Sequence, residues 1–265
     1  MCLTCGCGSD DVRVSLPGAH HDAHDHHHAH DDGDHGHETV VLEERLLAKN
    51  DHLAEHVRGF LAVRRMTAVN LMSSPGAGKT SLLERTIADL GGDRQICVVE
   101  GDQETAFDAD RITRAGARAV QVNTGSGCHL DADMVGRSLR ALDPEPGSLL
   151  FVENVGNLVC PALFDVGEHA RVVVISVTEG DDKPLKYPTM FAAADLVVVN
   201  KIDLLPYVDF DLPRLHEQAR SLNRDVAVLP LSVRTGERVR DWYAWLDSLA
   251  SGIEEGEPHG AAVGP

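Results

Sequence analysis

The segment Ser73-Ser74-Pro75-Gly76-Ala77-Gly78-Lys79-Thr80 constrains the fold more than any other part of this chain. It lies between an apolar run, Ala68–Met72, and a segment of helical spacing, Lys79–Leu90, which stops at Gly91-Gly92. A glycine-rich turn between a strand and a helix is the context that a phosphate-binding loop requires. Backbone N–H groups from Gly76 through Ala77, Gly78 and Lys79 to Thr80, with Ser81 beside them, would cradle phosphate at the positive end of the helix dipole. Lys79 would reach the β- and γ-phosphates, and Thr80 would ligate Mg²⁺. The first position holds Ser73, where the general pattern has Gly. A short side chain still fits there, and the alternative is a chance Gly-rich turn.

Further apolar runs alternate with helical segments along the chain. Strands are predicted at Gln95–Glu100, Ala119–Val122, Leu149–Glu153, Val172–Val177, Leu196–Asn200 and Val226–Leu231. Helices are predicted at Glu104–Arg114, Asp131–Leu142, Pro213–Leu222 and Glu237–Ala250. Continuously apolar strands separated by helices imply an α/β domain with a mainly parallel sheet covered on both faces. Ahead of it, Leu42, Leu46, Leu53, Val57 and Leu61 recur at helical spacing and predict an amphipathic helix. The predicted organisation is therefore a metal-binding extension without fixed structure (1–39), the amphipathic helix (40–66), a P-loop domain (67–250) and a disordered tail (251–265).

A second motif, Asn200-Lys201-Ile202-Asp203, directly follows an apolar strand. The Asp203 carboxylate can accept from guanine N1–H and N2–H₂, donors that adenine does not offer in that arrangement. Asn200 would contact N7 and hold neighbouring loops, and the Lys201 stem would cover the base. Downstream, Ser232-Val233-Arg234-Thr235-Gly236 suits a loop whose backbone N–H near Ser232 reads guanine O6. GTP is therefore the expected nucleotide. Carboxylates at strand ends beside a P-loop commonly face Mg²⁺ or its waters, which nominates Asp102 and Glu153. Together with Lys79 and Thr80 they form the expected catalytic set. No residue stands out as the one that orients the attacking water, so slow hydrolysis suited to a switch is expected.

Metal chemistry is written in three places. Cys2, Cys5 and Cys7 put three soft thiolates in one short span, and the α-amine of Cys2 becomes a fourth donor if Met1 is removed. That set suits a planar Ni²⁺ site; the alternative is a redox or incidental cysteine cluster. The tract His20, His21, His24, His26, His27, His28, His30, His35 and His37, interleaved with aspartates, suits metal buffering without naming the metal. Its interruptions by Asp and Ala, and the cysteines ahead of it, argue against an expression tag. Cys128-His129 and Cys160 lie in two loops and would make a three-ligand site for Ni²⁺ or Zn²⁺ if the fold brings them together. Cys97, inside an apolar strand, reads as a small buried hydrophobe.

Composition excludes other classes. A net charge of -18 argues against nucleic-acid or anionic-membrane partners. No apolar run approaches the roughly 20 residues of a membrane span. Met1 to Asp10 lacks the features of a secretory signal, and the tightly spaced cysteines fit a reducing compartment, so a cytoplasmic location is expected.

Taken in order, these motifs resemble the HypB family of hydrogenase nickel-incorporation GTPases. The resemblance is carried by the Cys-x-x-Cys-x-Cys start, the His tract and the P-loop, then Glu100-Gly101-Asp102, Cys128-His129, Glu153 to Pro161, Thr178 to Pro188 and Asn200 to Asp203. It implies a P-loop fold related to MinD-like and signal-recognition-particle GTPases. It also implies tight nickel binding by Cys2, Cys5 and Cys7, and a second site at Cys128, His129 and Cys160 near a GTP-dependent homodimer interface. The implied partners are the nickel metallochaperone of the same pathway and the hydrogenase large-subunit precursor. Two alternatives are a urease-accessory GTPase, which normally lacks the cysteine start, and a nickel storage protein with a decayed nucleotide domain.

Overall fold

A computed structural model of the chain describes residues 13–15, 36–102, 107–125 and 127–255. The expectations placed on Cys2, Cys5, Cys7, His20 to His35 and the tail beyond 255 lie outside the described residues.

In chain order the elements are β1 (Arg13–Ser15), α1 (Gly36–Arg64), β2 (Thr67–Ser73), α2 (Lys79–Leu90), β3 (Ile96–Asp102) and α3 (Phe107–Ala115). There follow β4 (Arg118–Asn123), α4 (Ala132–Leu142), β5 (Leu149–Glu153), β6 (Ala170–Ser176), α5 (Lys183–Lys186) and α6 (Pro188–Ala192). The last are β7 (Leu196–Asn200), α7 (Leu212–Leu222), β8 (Ala227–Pro230) and α8 (Val239–Glu255). The sheet order is β1-β4-β3-β5-β2-β6-β7-β8. Strands β2 to β8 run parallel, and among the described residues only β1 pairs antiparallel, on the edge of β4.

The strands alternate their apolar side chains between two covered faces. In β3, Ile96 and Val98 join Leu82, Leu83 and Ile87 of α2 and Trp242 of α8 on one face. Cys97 and Val99 turn the other way, toward Val57 and Leu61 of α1 and Val135 and Leu139 of α4. Farther along that second face, Met190, Phe191, Leu215 and Ala219 of α6 and α7 cover β6 and β7. This two-sided burial is why the strands read as unbroken apolar runs. Trp242 is fully buried and donates from Nε1 to Thr86 Oγ1 at 2.9 Å, so its one polar atom is satisfied inside the core.

Several boundaries differ from the sequence expectation; α8, predicted to end at Ala250, runs on to Glu255, so the segment 251–255 assigned to a disordered tail is helical. Helix α1 starts at Gly36, ahead of the first apolar position of the predicted helix. Arg13–Ser15, inside the segment expected to lack structure, pairs along β4. Edge pairing uses only backbone groups and needs no apolar periodicity, so the sequence carried no sign of it. Cys97 is fully buried as expected, and burial raises its thiol to about 11, away from reactivity.

Candidate nucleotide and metal sites

The P-loop leaves β2 and enters α2 through two glycines with positive φ, 78° at Gly76 and 104° at Gly78. Gly78 has a second constraint. A Cβ there would collide with the Asn200 side-chain nitrogen, so the loop and the end of β7 close on each other only through glycine. Asn200 is buried and spans three segments. Its Nδ2 donates to Ala77 O at 3.0 Å, and its Oδ1 accepts from Lys201 N at 2.7 Å and Val233 N at 3.3 Å. Lys201 adopts φ 64°, an uncommon backbone region for a side-chain-bearing residue, and its Nζ donates to Gly76 O at 2.8 Å.

The cleft beside this loop has a volume of about 470 Å³, and its lining includes Lys79, Thr80, Ser81, Asp102, Glu153 and Lys201. Lys79 Nζ donates to Ser73 Oγ at 2.7 Å, so the residue that departs from the general pattern holds the lysine. Thr80 Oγ1 donates to Glu153 Oε1 at 2.6 Å. The other oxygen of Glu153 is buried without a partner, and so is Glu100 Oε2. Register explains the pair: Glu100 and Glu153 stand opposite each other on β3 and β5. Burial, then the carboxylates of Glu153, Asp102 and Asp108, push Glu100 up to about 9. Burial also raises Glu153, against the pull of Lys79 and Thr80, and burial lowers Lys79. The orphaned oxygen of Glu153, whose carboxylate accepts from Thr80, and that of Glu100 on the adjacent strand are hard oxygen donors, which fits Mg²⁺.

The residues expected to read guanine also converge. Ser232 Oγ donates to Asp203 Oδ1 at 2.6 Å, and Arg234 stands 3.6 Å from Asp203 Oδ2. The backbone N–H of Ser232 is engaged, donating to Glu237 O at 3.0 Å in the turn closed by Gly236. In this state Ser232 positions the Asp203 carboxylate and does not offer its own amide.

Cys128, His129 and Cys160 come together although the chain separates them. Their ligand atoms all lie within 4.8 Å of one another. His129 Nδ1 is 3.8 Å from Cys128 Sγ, and the ring stacks on Phe164 with centroids 3.8 Å apart. Burial lowers the His129 pKa against the pull of Asp131, which favours the neutral imidazole that a metal needs. Val159 and Leu163, large and half exposed, flank Cys160.

Several residues in or against the cleft carried no clear sign in the sequence. Glu100 was quoted only as part of a motif, yet it is 2% exposed beside Glu153. Arg111 lines the cleft and is gripped by Glu84, at 3.0 and 2.6 Å, and by Asp108 at 2.9 Å. Glu179 accepts from Ser74 Oγ of the P-loop and closes a capping box with Ser176. The Ser-x-x-Glu spacing was the one available signal for Glu179.

The family described as CobW/HypB/UreG, nucleotide-binding domain, matches residues 67–230. Hydrogenase maturation factor HypB of Rhizobium leguminosarum bv. viciae is 55% identical over 212 residues, 80% of this chain and 71% of that protein. The crystal structure of hydrogenase maturation factor HypB from Archaeoglobus fulgidus is similar at 40% identity and TM-score 0.72, covering 77% of this chain and 100% of that one. The crystal structure of HypB from Helicobacter pylori in complex with nickel is similar at 36% identity and TM-score 0.75, covering 81% and 99%.

Proposed function

Because the chain belongs to the HypB family of hydrogenase maturation factors, we propose that it hydrolyses GTP and delivers nickel to the large-subunit precursor of a nickel–iron hydrogenase. One observation carries this reading. Cys128, His129 and Cys160 converge within 4.8 Å in loops that follow β4 and β5, at the same sheet end as the P-loop. Ligands of open parallel sheets gather at this end.

In this reading the loop amides and Lys79 hold the GTP phosphates, while Asp203 selects guanine. Thr80, Glu153 and Asp102 would hold Mg²⁺, which neutralises charge on the phosphate oxygens when bound. Asn200 and Lys201 tie the base-side turn to the phosphate loop, so both ends of the nucleotide are read by one connected unit. Nickel is cargo. Two thiolates and one imidazole leave coordination positions open, which suits an ion that is passed on. Cys2, Cys5 and Cys7 would bind it more tightly, and the His tract would buffer it. The half-exposed Val159 and Leu163 beside Cys160 suit a GTP-dependent homodimer surface at this site. The nickel metallochaperone of the same pathway and the hydrogenase precursor would be the partners, in the cytoplasm.

The test is GTP and ATP hydrolysis with and without Ni²⁺, alongside equilibrium dialysis for metal stoichiometry. Hydrolysis of GTP but not ATP, with nickel bound at the cysteine sites, is expected. Equal use of both nucleotides, or hydrolysis without any metal binding, overturns the reading.

A further inference from the structure

The buried polar residue Asn154 lies at the wall of the nucleotide cleft, and its side-chain amide is committed to protein partners that lead toward the metal donors. It follows Glu153 at the end of β5 and is 1% exposed. Its Oδ1 accepts from Leu130 N at 3.0 Å and from Val155 N at 3.0 Å. Its Nδ2 donates to Asn70 Oδ1 at 3.3 Å, and its own N–H donates to Leu71 O at 3.0 Å. The side chain is thus fixed on the P-loop strand β2 while it grips the residue next to His129.

Leu130 is held from its other side as well. A Cβ on Gly101 would lie 2.7 Å from Leu130 Cγ, so the Leu130 side chain rests on β3 between Glu100 and Asp102. The beginning of the same loop is tied to β3 too, through Thr124 N and Asp102 O at 3.0 Å. Its ligand end reaches the β5 segment again through Asn157 Nδ2 and Cys128 O at 3.5 Å. On the nucleotide side, Gly156 packs against Pro75, where a Cβ would lie 3.1–3.3 Å from the proline. Any shift of Glu153 and its following turn toward a bound phosphate therefore moves Asn154, and through it the peptide that carries His129.

We propose that Asn154 is the positioning residue that couples nucleotide state to the Cys128, His129 and Cys160 donors. This rests on the reading of those donors as a nickel site beside a GTP site. An amide is required because it donates to Asn70 while one oxygen accepts from two buried N–H groups. Alanine does neither. A packed, doubly clamped peptide transmits a shift because close-packed interiors do not deform gradually.

The experiment measures Ni²⁺ affinity by competition titration in the full chain with Cys2, Cys5 and Cys7 replaced by serine. It compares GDP with a non-hydrolysable GTP analogue. The parent chain is expected to show a ratio of affinities within about 5–150-fold, the usual span of such couplings. In Asn154→Ala the ratio falls to within about two-fold of unity, while nickel is still bound in both nucleotide states. An unchanged ratio in Asn154→Ala overturns the proposal and leaves the site reading intact. A ratio of one in the parent chain overturns the site reading itself. If Asn154→Ala does not fold, Asn154→Asp decides, since a carboxylate still accepts from Leu130 N and Val155 N but cannot donate to Asn70 on β2. An undiminished ratio in Asn154→Asp overturns the proposal.

Discussion

Thr80 Oγ1 donates to Glu153 Oε1 at 2.6 Å, joining the first turn of α2 to the carboxyl end of β5. The partner oxygen, Glu153 Oε2, is buried and unpaired at the wall of the cleft. Glu153→Ala should lower Mg²⁺-dependent GTP hydrolysis by about 10–100-fold, the range seen when a partner that orients a metal ligand is lost. Mg²⁺ titration of GTP turnover checks it. A variant that saturates at the same Mg²⁺ concentration with the same rate would remove Glu153 from the site.

Lys79 reaches back to Ser73 Oγ at 2.7 Å and is 8% exposed, so it is placed before any nucleotide arrives. Lys79→Ala should abolish GTP hydrolysis while leaving metal binding by Cys2, Cys5 and Cys7 intact. Parallel turnover and metal-titration measurements on the variant decide it. Loss of the tight nickel site in Lys79→Ala would mean that the two sites are structurally merged.

In the proposed reading guanine selectivity rests on Asp203, whose Oδ1 accepts from Ser232 Oγ at 2.6 Å. Asp203→Asn should weaken GTP binding by about 1.5–3 kcal/mol, the worth of hydrogen bonds to a charged group, and favour xanthine nucleotides. Competition binding with GTP, XTP and ATP reads this directly. Equal binding of ATP and GTP by the unaltered chain would end the argument.

The Glu100–Glu153 pair predicts a pH dependence in the protein without nucleotide and Mg²⁺. Burial and neighbouring carboxylates raise Glu100 from an ordinary 4.5 to about 9. The folded state then holds a proton that the unfolded chain releases above about pH 4.5. Stability from this group therefore falls as pH rises from about 4.5 to about 9. Glu100→Gln should flatten that slope and be the more stable protein at its upper end. Denaturant midpoints near both ends of this window, in Mg²⁺-free buffer, measure it; parallel slopes for the two proteins would contradict it.

Deleting residues 19–37 should lower the number of Ni²⁺ ions bound per chain without stopping GTP hydrolysis, because the tract's composition supports no packing role. Equilibrium dialysis of the shortened chain checks this, and unchanged stoichiometry would remove the buffering role.

Much of this architecture was legible from local pattern. The strand at Leu149–Glu153 and the helix at Lys79–Leu90 were predicted with the bounds they adopt. A buried parallel strand must be apolar on both faces, and a P-loop must place glycine where φ turns positive. The short helices Lys183–Lys186 and Pro188–Ala192 were missed. Elements that short have no period to read, and prolines stand at their starts.

By itself the sequence determined which residues could do chemistry: Lys79 and Thr80 in a phosphate loop, Asp203 after a strand, and thiols and imidazoles as soft donors. Backbone sterics, periodicity and ligand chemistry act over a few residues, so a few residues suffice to reveal them. Tertiary structure alone decided which of these meet. Placing β5 between β3 and β2 sets Glu100 opposite Glu153, brings Cys160 to Cys128 and His129, and puts Asn154 against Leu130. Strand order arises from how the two faces of the sheet share their burial among distant helices, and no local run of residues encodes that.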